Sequence, residues 1–260
     1  MKSRGKIWAW FFIILGILYF FLPLLATFIF SLKAKLGVLS FTAYVNVFND
    51  PKFIRGFSGS LLWATLTILV GIILFVPTAY WVRLKVPRAR SAIEFITLIP
   101  FVVPPIVYTF GLIRTYSHPP LLIVDNPVLL VAAYTIISMP YMYRAIDIGL
   151  RSIDVRTLTE AAQSLGAGWG TILFRIIIPN IRVAILNGAF LSFAIVLGEY
   201  ILARYLVKPA FAPYMLDLGQ NKAFEPAAAA VISFALTWAC MGIISLVGRG
   251  REQAPVGGAH

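Results

Sequence analysis

Six long apolar stretches, separated by short polar segments, dominate the hydrophobic pattern of this chain. Each is long enough to cross a bilayer, which takes about 20 predominantly apolar residues in a helix. Only helices and closed barrels satisfy the backbone in lipid, and the period-two alternation of barrel strands is absent from the sequence. We therefore predict an all-α membrane protein with six transmembrane helices. The predicted spans are residues 7–32, 58–82, 93–116, 127–148, 183–207 and 226–247.

Three prolines, Pro100, Pro104 and Pro105, interrupt the third predicted span. Proline inside a helix removes a backbone hydrogen bond and bends the helix. A bent span is tolerated where the freed backbone lines a cavity or packs on protein. We therefore expect the third span to be bent, and either to line a cavity or to pack on protein.

The composition agrees with a chain that lies mostly in lipid. Of the 260 residues, 60% are hydrophobic and 12% are charged, and the mean hydropathy is +0.88. A soluble domain is about half apolar and a quarter charged. The first apolar stretch is too long for the apolar region of a signal peptide, so we expect it to remain as a span.

The net charge of +12 is best explained by topology. No basic run is interleaved with aromatic residues on a soluble domain, so we expect no nucleic-acid partner. Six spans place both termini on one side, and fourteen of the 22 Lys and Arg residues fall on that side. Because cytoplasmic loops carry the excess of positive charge, we predict a multi-pass protein of the cell (inner) membrane with both termini cytoplasmic.

The most distinctive polar segment, residues 160–179, lies between the fourth and fifth predicted spans. Thr157 and Glu160 fit a capping box, in which the threonine caps a helix and the glutamate reaches back to its amide. Gly166 is typical of a helix C-terminus. A second helical piece follows and should end at Pro179.

Two short helices that meet at a glycine bend form a compact surface, and the small side chains of Ala161 and Ala162 would let a partner backbone come close. We therefore interpret the segment as a docking site for another protein. The alternative is an amphipathic re-entrant loop without a partner, which would not require these residue types at these positions.

The spacing in this segment resembles the EAA signature of ABC importer permeases, and the six spans and the proline-rich third span resemble that family too. One position departs from the pattern, since Ile178 stands where leucine is usual, and this swap conserves volume. The signature residues are Glu160, Ala161, Ala162, Gly166, Ile176, Ile178 and Pro179.

The resemblance implies the type I ABC importer permease fold, with one permease domain over residues 1–250 and a coupling segment at residues 150–182. The last residues, 251–260, contain glycines and a proline, and we expect them to form a flexible tail. In that family the segment forms cytoplasmic coupling helices that dock on an ATPase. The implied partners are a second permease subunit, two cytoplasmic ATPase subunits and an extracytoplasmic solute-binding protein.

The chemistry is then expected on another chain. This sequence contains no GxxxxGK[ST] phosphate loop, so we predict a transport subunit that is not an enzyme and has no cofactor of its own. ATP and Mg would belong to the partner ATPase.

Glu199 is the one carboxylate deep within a predicted span. An ionisable group in the membrane suggests function, here a pairing with a cationic group on the cargo. The alternative is a structural role, in which Glu199 caps or pairs with a neighbouring helix. Tyr200 and Tyr108 are further candidates for the substrate path, although tyrosines of this kind often lie at the membrane interface.

The arrangement is similar to that of the C-type permease of spermidine/putrescine importers, so we expect a polyamine cargo. Importers of iron, thiamine, sulfate or phosphonate are built much alike and stay open as alternatives. An intramembrane enzyme is disfavoured because neither GxSxG nor HExxH occurs and both histidines lie outside the spans. A secondary transporter is disfavoured because no inverted repeat is visible.

Overall fold

The computed structural model describes residues 2–35 and 38–249. Its regular elements are helices, as predicted, and the described residues contain no β-strand. The 3-10 turn Pro87–Ala89 precedes the helix that begins at Arg90. The helical segment from Trp169 to Asn180 consists of Trp169–Thr171, the π-helix Ile172–Ile177 and Ile178–Asn180. The helices are α1 Lys2–Ser31, α2 Thr42–Phe48, α3 Pro51–Lys85, α4 Arg90–Val102, α5 Pro105–Tyr116, α6 Pro127–Arg151, α7 Val155–Ser164, α8 Trp169–Asn180, α9 Arg182–Gly198, α10 Ile201–Tyr205, α11 Phe211–Asn221 and α12 Glu225–Arg249.

By length and composition, four helical segments could cross a membrane, and up to six if each bent helix pair is one span. The four are Trp8–Ser31, Pro51–Lys85, Pro127–Arg151 and Glu225–Gly242. The bent pairs are α4 with α5, at 96°, and α8 with α9, at 77°. The prediction of one helix over residues 183–207 was wrong in its extent, because α9 ends at Gly198 and α10 is separate.

The bend between α4 and α5 follows from the prolines. Pro104 and Pro105 have no backbone N–H, so the carbonyls of Pro100 and Phe101 lose their partners four residues on. The residue before a proline also avoids the helical region, and Val103 is extended, with φ −86° and ψ 118°. The expected bend of the third span is therefore confirmed.

The described residues form two compact units. The smaller unit combines the chain up to Arg55 with Tyr214–Trp238. Within it, the Asn46 amide donates a 2.9 Å hydrogen bond to the Glu225 carboxylate at the start of α12. The single permease domain over residues 1–250 stays a prediction, and the predicted tail at 251–260 lies outside the described residues.

The larger unit, which contains residues 56–213, holds an apolar core built from α3, α6, α7, α8 and α9. The polar loop between α6 and α9 is therefore part of the folded core and does not hang free from the membrane helices. The largest fully buried side chains of this apolar core include Tyr80, Met142, Ile146, Leu150, Ile172, Leu173 and Ile177.

Two glycines allow α6 and α9 to pack at very short range. A Cβ on Gly149 would clash with the Cβ of Ala184 and lie 3.3 Å from the Cβ of Ile181. A Cβ on Gly188 would lie 2.7 Å from the Met142 sulfur and 3.2 Å from its Cα. Small residues are the usual means by which membrane helices approach this closely.

Adding one methyl group at the α6–α9 contact should destabilise the protein. We expect Gly149→Ala to lower the free energy of unfolding by about 1–3 kcal/mol, because the Ala184 Cβ is fixed to its backbone and the helices must separate. Thermal unfolding of the detergent-purified protein measures the effect.

Gly111→Ala is the matched control, since an added Cβ there meets nothing within 4 Å and alanine is the better helix former. Equal thermal stability of Gly149→Ala and the unmodified protein would show that the two helices are not held in backbone contact.

Candidate functional site

The segment from Asp154 to Asn180, called the coupling segment below, begins with a capped helix. The Asp154 carboxylate accepts hydrogen bonds from the Thr157 amide at 3.1 Å and from the Thr157 hydroxyl at 2.7 Å. These bonds hold the pKa of the Asp154 carboxyl below its usual range. The predicted capping box was therefore wrong: Asp154 is the cap, and Glu160 instead pairs with Arg156 at 2.9 Å.

The end of α7 is a Schellman motif centred on Gly166. Gly166 has a φ of +79°, its amide donates to the Gln163 carbonyl at 2.9 Å, and the Ala167 amide donates to the Ala162 carbonyl at 3.0 Å. This pair of bonds satisfies two carbonyls at the helix end and needs a left-handed residue, for which glycine carries no penalty. The prediction that Gly166 ends the helix is confirmed.

The second helical piece, α8, was also predicted, and Pro179 lies one residue before its end at Asn180. Ile181 forms the turn into α9, with φ −105° and ψ 16°. Ile176 is half-buried against the core cluster. The helix therefore stops at the expected place, and the change of direction occurs at Ile181.

One face of α7 is buried in the permease and the other is free. The Thr159 hydroxyl lies 3.1 Å from the Tyr80 hydroxyl of α3, and Ala162 is buried in the core cluster. Glu160 and Ala161 are exposed. The expectation that both alanines face a partner is therefore wrong for Ala162, which packs against its own chain.

The free face of the coupling segment carries large apolar side chains that the sequence reading did not single out. Leu165 is 88% exposed and Phe174 is 67% exposed. Trp169 stacks on Trp81 of α3, with ring centroids 5.9 Å apart. Large apolar side chains left exposed on a polar segment are candidates for contact with another protein. That the EAA positions couple to an ATPase stays a prediction.

Glu199 lies at the break between α9 and α10, where its carboxylate binds the backbone of its own chain. Its oxygens accept hydrogen bonds from the amides of Ile201 at 2.8 Å, Leu202 at 3.0 Å and Ala203 at 3.3 Å. The Tyr134 hydroxyl of α6 also donates to it, at 3.3 Å. These are the amides that a helix start leaves without partners, so the geometry matches the structural alternative for Glu199.

The two predicted path tyrosines lie in different settings. Tyr108 of α5 packs against the cluster that contains Tyr134, and its buried hydroxyl has no hydrogen-bond partner among the described residues. It lines a cavity of about 110 Å³ at the proline break between α4 and α5. Tyr200 is half-buried at the α9–α10 break, next to Glu199. Of the two settings expected for the bent span, a cavity is therefore present at the break.

A network of four charges connects α4 with α6. Arg90 contacts Glu94 at 2.9 Å and Asp147 at 3.3 Å. Arg151 contacts Glu94 at 2.9 Å and Asp147, through Nε, at 2.8 Å. Each carboxylate therefore has two guanidinium partners. Charged residues in membrane helices are tolerated where they pair with one another, as these four do.

Among curated proteins, the chain is similar to molybdate and tungstate permeases. It is 30% identical over 178 residues to the molybdate/tungstate transport system permease protein of Pyrococcus abyssi, covering 68% of each chain. The corresponding Pyrococcus furiosus protein is 28% identical over 209 residues, 78% of this chain and 82% of that protein. The molybdenum transport system permease protein of Escherichia coli K12 is 41% identical over 70 residues, 27% of this chain and 30% of that protein.

Solved structures share the fold at low sequence identity. A bacterial ABC transporter involved in the import of the acidic polysaccharide alginate contains a chain with a TM-score of 0.68 and 16% identity, at 95% coverage of both chains. The MetNI methionine ABC transporter in an inward-facing conformation contains one with a TM-score of 0.58 and 18% identity, covering 75% of this chain and 94% of that one.

The family model described as the inner membrane component of binding-protein-dependent transport systems matches residues 68–247, which include the coupling segment and both helix breaks. These relatives do not support the more specific likeness to a polyamine permease. This chain belongs to the family of inner membrane components of binding-protein-dependent transport systems: it is a multi-pass permease subunit of an ABC importer, and not an enzyme.

Proposed function

We propose that this permease subunit imports a tetrahedral oxyanion of the molybdate and tungstate class. The observation that carries the proposal is the similarity, over two thirds or more of both chains, to molybdate/tungstate permeases of two Pyrococcus species. Shorter matches to molybdenum permeases of Azotobacter vinelandii and Escherichia coli point to the same class of cargo.

The environment of Glu199 argues against a polyamine cargo. A polyamine would need carboxylates free to pair with its ammonium groups. Both oxygens of Glu199 are already occupied by backbone amides at the start of α10 and by Tyr134. Removing such a group from its hydrogen bonds is costly in a membrane-embedded site. The feature that suggested a cationic cargo is better explained by local structure.

The coupling segment is the proposed connection to the energy source. An ATPase on a separate chain would bind ATP and Mg. It would contact the exposed residues of the coupling segment, which include Glu160, Ala161, Leu165 and Phe174. The buried face of the same segment contacts α3, α6 and α9 through the core, so movement of the ATPase would be passed to these helices. The permease would then alternate between two conformations, and nucleotide bound to the partner ATPase would shift the balance between them.

The remaining assembly follows from the same proposal. A second permease subunit, two cytoplasmic ATPase subunits and an extracytoplasmic solute-binding protein would complete the importer. The coupling segment and both termini would face the cytoplasm, as the distribution of Lys and Arg favours. In that assembly this chain needs no cofactor of its own.

Disrupting the gene in its host should reduce accumulation of molybdate and tungstate when these ions are scarce, and a plasmid copy should restore it. Elemental mass spectrometry of washed cells measures both metals. Uptake of labelled spermidine should stay unchanged. If the disrupted cells keep normal molybdenum and tungsten contents and lose spermidine uptake, the cargo is a polyamine and the proposed oxyanion cargo is wrong.

Gly166→Val should uncouple ATP hydrolysis from transport, because a β-branched residue at φ +79° strains the end of α7 by about 1–3 kcal/mol. The expected result in the reconstituted importer is retained basal ATPase activity with lost stimulation by loaded binding protein. Gly168→Val is the matched control: that glycine is also open on all sides, but its backbone is extended, with φ −75° and ψ 164°. Equal behaviour of the two variants would contradict the coupling role of Gly166.

Glu199→Ala should lower the free energy of unfolding by about 0.5–2 kcal/mol, the range for the loss of a helix cap. Glu199→Gln keeps one oxygen acceptor and should lose less. Oxyanion uptake should fall only in step with stability, which thermal unfolding and uptake assays measure together. A glutamine variant with normal stability and abolished uptake would instead place the carboxylate in the cargo path.

A further inference from the structure

Two adjoining cavities are both lined by residues of α4 and α6. One has a volume of about 390 Å³ and is lined by residues of α4, α6 and α9. The other, of about 430 Å³, lies against the Arg90–Asp147 charge network. Arg144 lines both cavities and is exposed in the structure. It is the charged side chain that the two spaces share.

Arg144 differs from Arg90 and Arg151, the two arginines that pair with carboxylates between α4 and α6. Arg90 and Arg151 are both held by Glu94 and Asp147. Arg144 has neither an ion-pair nor a hydrogen-bond partner within residues 2–35 and 38–249. Its guanidinium, with five N–H donors and no acceptor, is therefore available to a ligand.

Arg144 lies within α6, one of the helices long and apolar enough to cross a membrane. The residue lies seven positions before the end of α6, roughly 10 Å along the axis at 1.5 Å per residue. The sequence-based charge count treated it as a loop residue, and the structure places it inside the helix. Ionisable residues within membrane helices face the bundle interior or a water-filled cavity. Arg144 lines two cavities.

The lining of the 390 Å³ cavity suits an anion. Arg144 is the one charged residue in it, and its other polar side chains are those of Asn187 and Tyr141. The Tyr141 ring is held edge-on against Phe101 of α4, with centroids 5.3 Å apart. All three polar side chains carry N–H or O–H donors, and no carboxylate lines this space.

We propose that Arg144, Asn187 and Tyr141 form an anion subsite in which the oxyanion cargo rests on its way through the permease. A tetrahedral dianion that carries no proton offers only acceptor oxygens, so it matches a set of donors, and the planar fork of arginine can hold two of its oxygens. The cavity has room for such an ion with part of its hydration shell. This inference rests on the proposed oxyanion cargo.

Tungstate uptake by the complete importer in proteoliposomes, with its ATPase and binding protein, tests the proposal. We expect Arg144→Gln to lower the uptake rate about 10- to 100-fold, which is the loss of one charge-assisted hydrogen-bonding group. Arg144→Lys should recover part of the rate because it restores the charge without the fork. Size-exclusion chromatography of each purified complex establishes assembly before the uptake rates are compared.

Arg88→Gln is the matched control. Arg88 is an exposed arginine in the turn before α4 that lines neither cavity, so its loss removes the same charge from this end of the molecule. It should keep the uptake rate within about twofold of the unmodified importer. An equal loss in Arg88→Gln and Arg144→Gln would overturn the subsite, because the effect would then be one of general charge.

Asn187→Asp gives a second readout if Arg144→Gln does not assemble. It places a carboxylate in the cavity at almost constant shape, and tungstate uptake should again fall at least about tenfold, because like charges repel at short range. Normal uptake in Asn187→Asp or in an assembled Arg144→Gln importer would overturn the subsite while leaving the proposed function intact. An unmodified importer that moves neither tungstate nor molybdate would overturn the proposed function itself.

Discussion

The larger unit of this permease depends on the backbone contact between α6 and α9. Gly149 lies under the turn at Ile181, and Gly188 lies against Met142, so neither position has room for a side chain. The same stretch of α6 supplies Ile146 and Leu150 to the core on which α8 rests. The contact between α6 and α9 and the packing of α8 thus belong to one core cluster. A change in the distance between α6 and α9 would therefore affect the position of the coupling segment. Closely packed helices do not deform continuously. The contact between α6 and α9 would therefore let the two helices move together as one body.

A second constraint is the need to satisfy backbone groups where helices break inside a membrane protein. At the α4–α5 break, Pro104 and Pro105 remove donors, and a cavity forms beside the bend. At the α9–α10 break, Glu199 supplies acceptors to amides that a helix start leaves free. A carboxylate used in this way is structural, whereas Arg144 has no such use among the described residues. Glu199 and Arg144 therefore differ in their partners, and this difference is compatible with the proposed anionic cargo.

The local reading of the coupling segment was correct where one residue decides the conformation. Gly166 ends its helix because a left-handed φ is available to glycine, and this needs no knowledge of the rest of the chain. It was wrong where two residues compete. Asp154 and Thr157 are both residue types that cap helices well. Val155 is buried in the core as the first residue of α7, so the residue before it, Asp154, is the cap. The rotation of α7 that buries Ala162 and exposes Ala161 is set by the same contact.

The sequence by itself determined the helical class, the approximate spans, the bend at the prolines and the family signature. These depend on stretches of apolar residues, on missing N–H groups and on spacing, all of which are local properties. Only the tertiary structure decided what the charged residues do. Glu199 and Arg144 are both ionisable side chains in apolar surroundings, and nothing in their neighbouring residues tells them apart. Their difference lies in what surrounds each in space: backbone amides and Tyr134 around Glu199, and cavities bordered by α4 and α9 around Arg144.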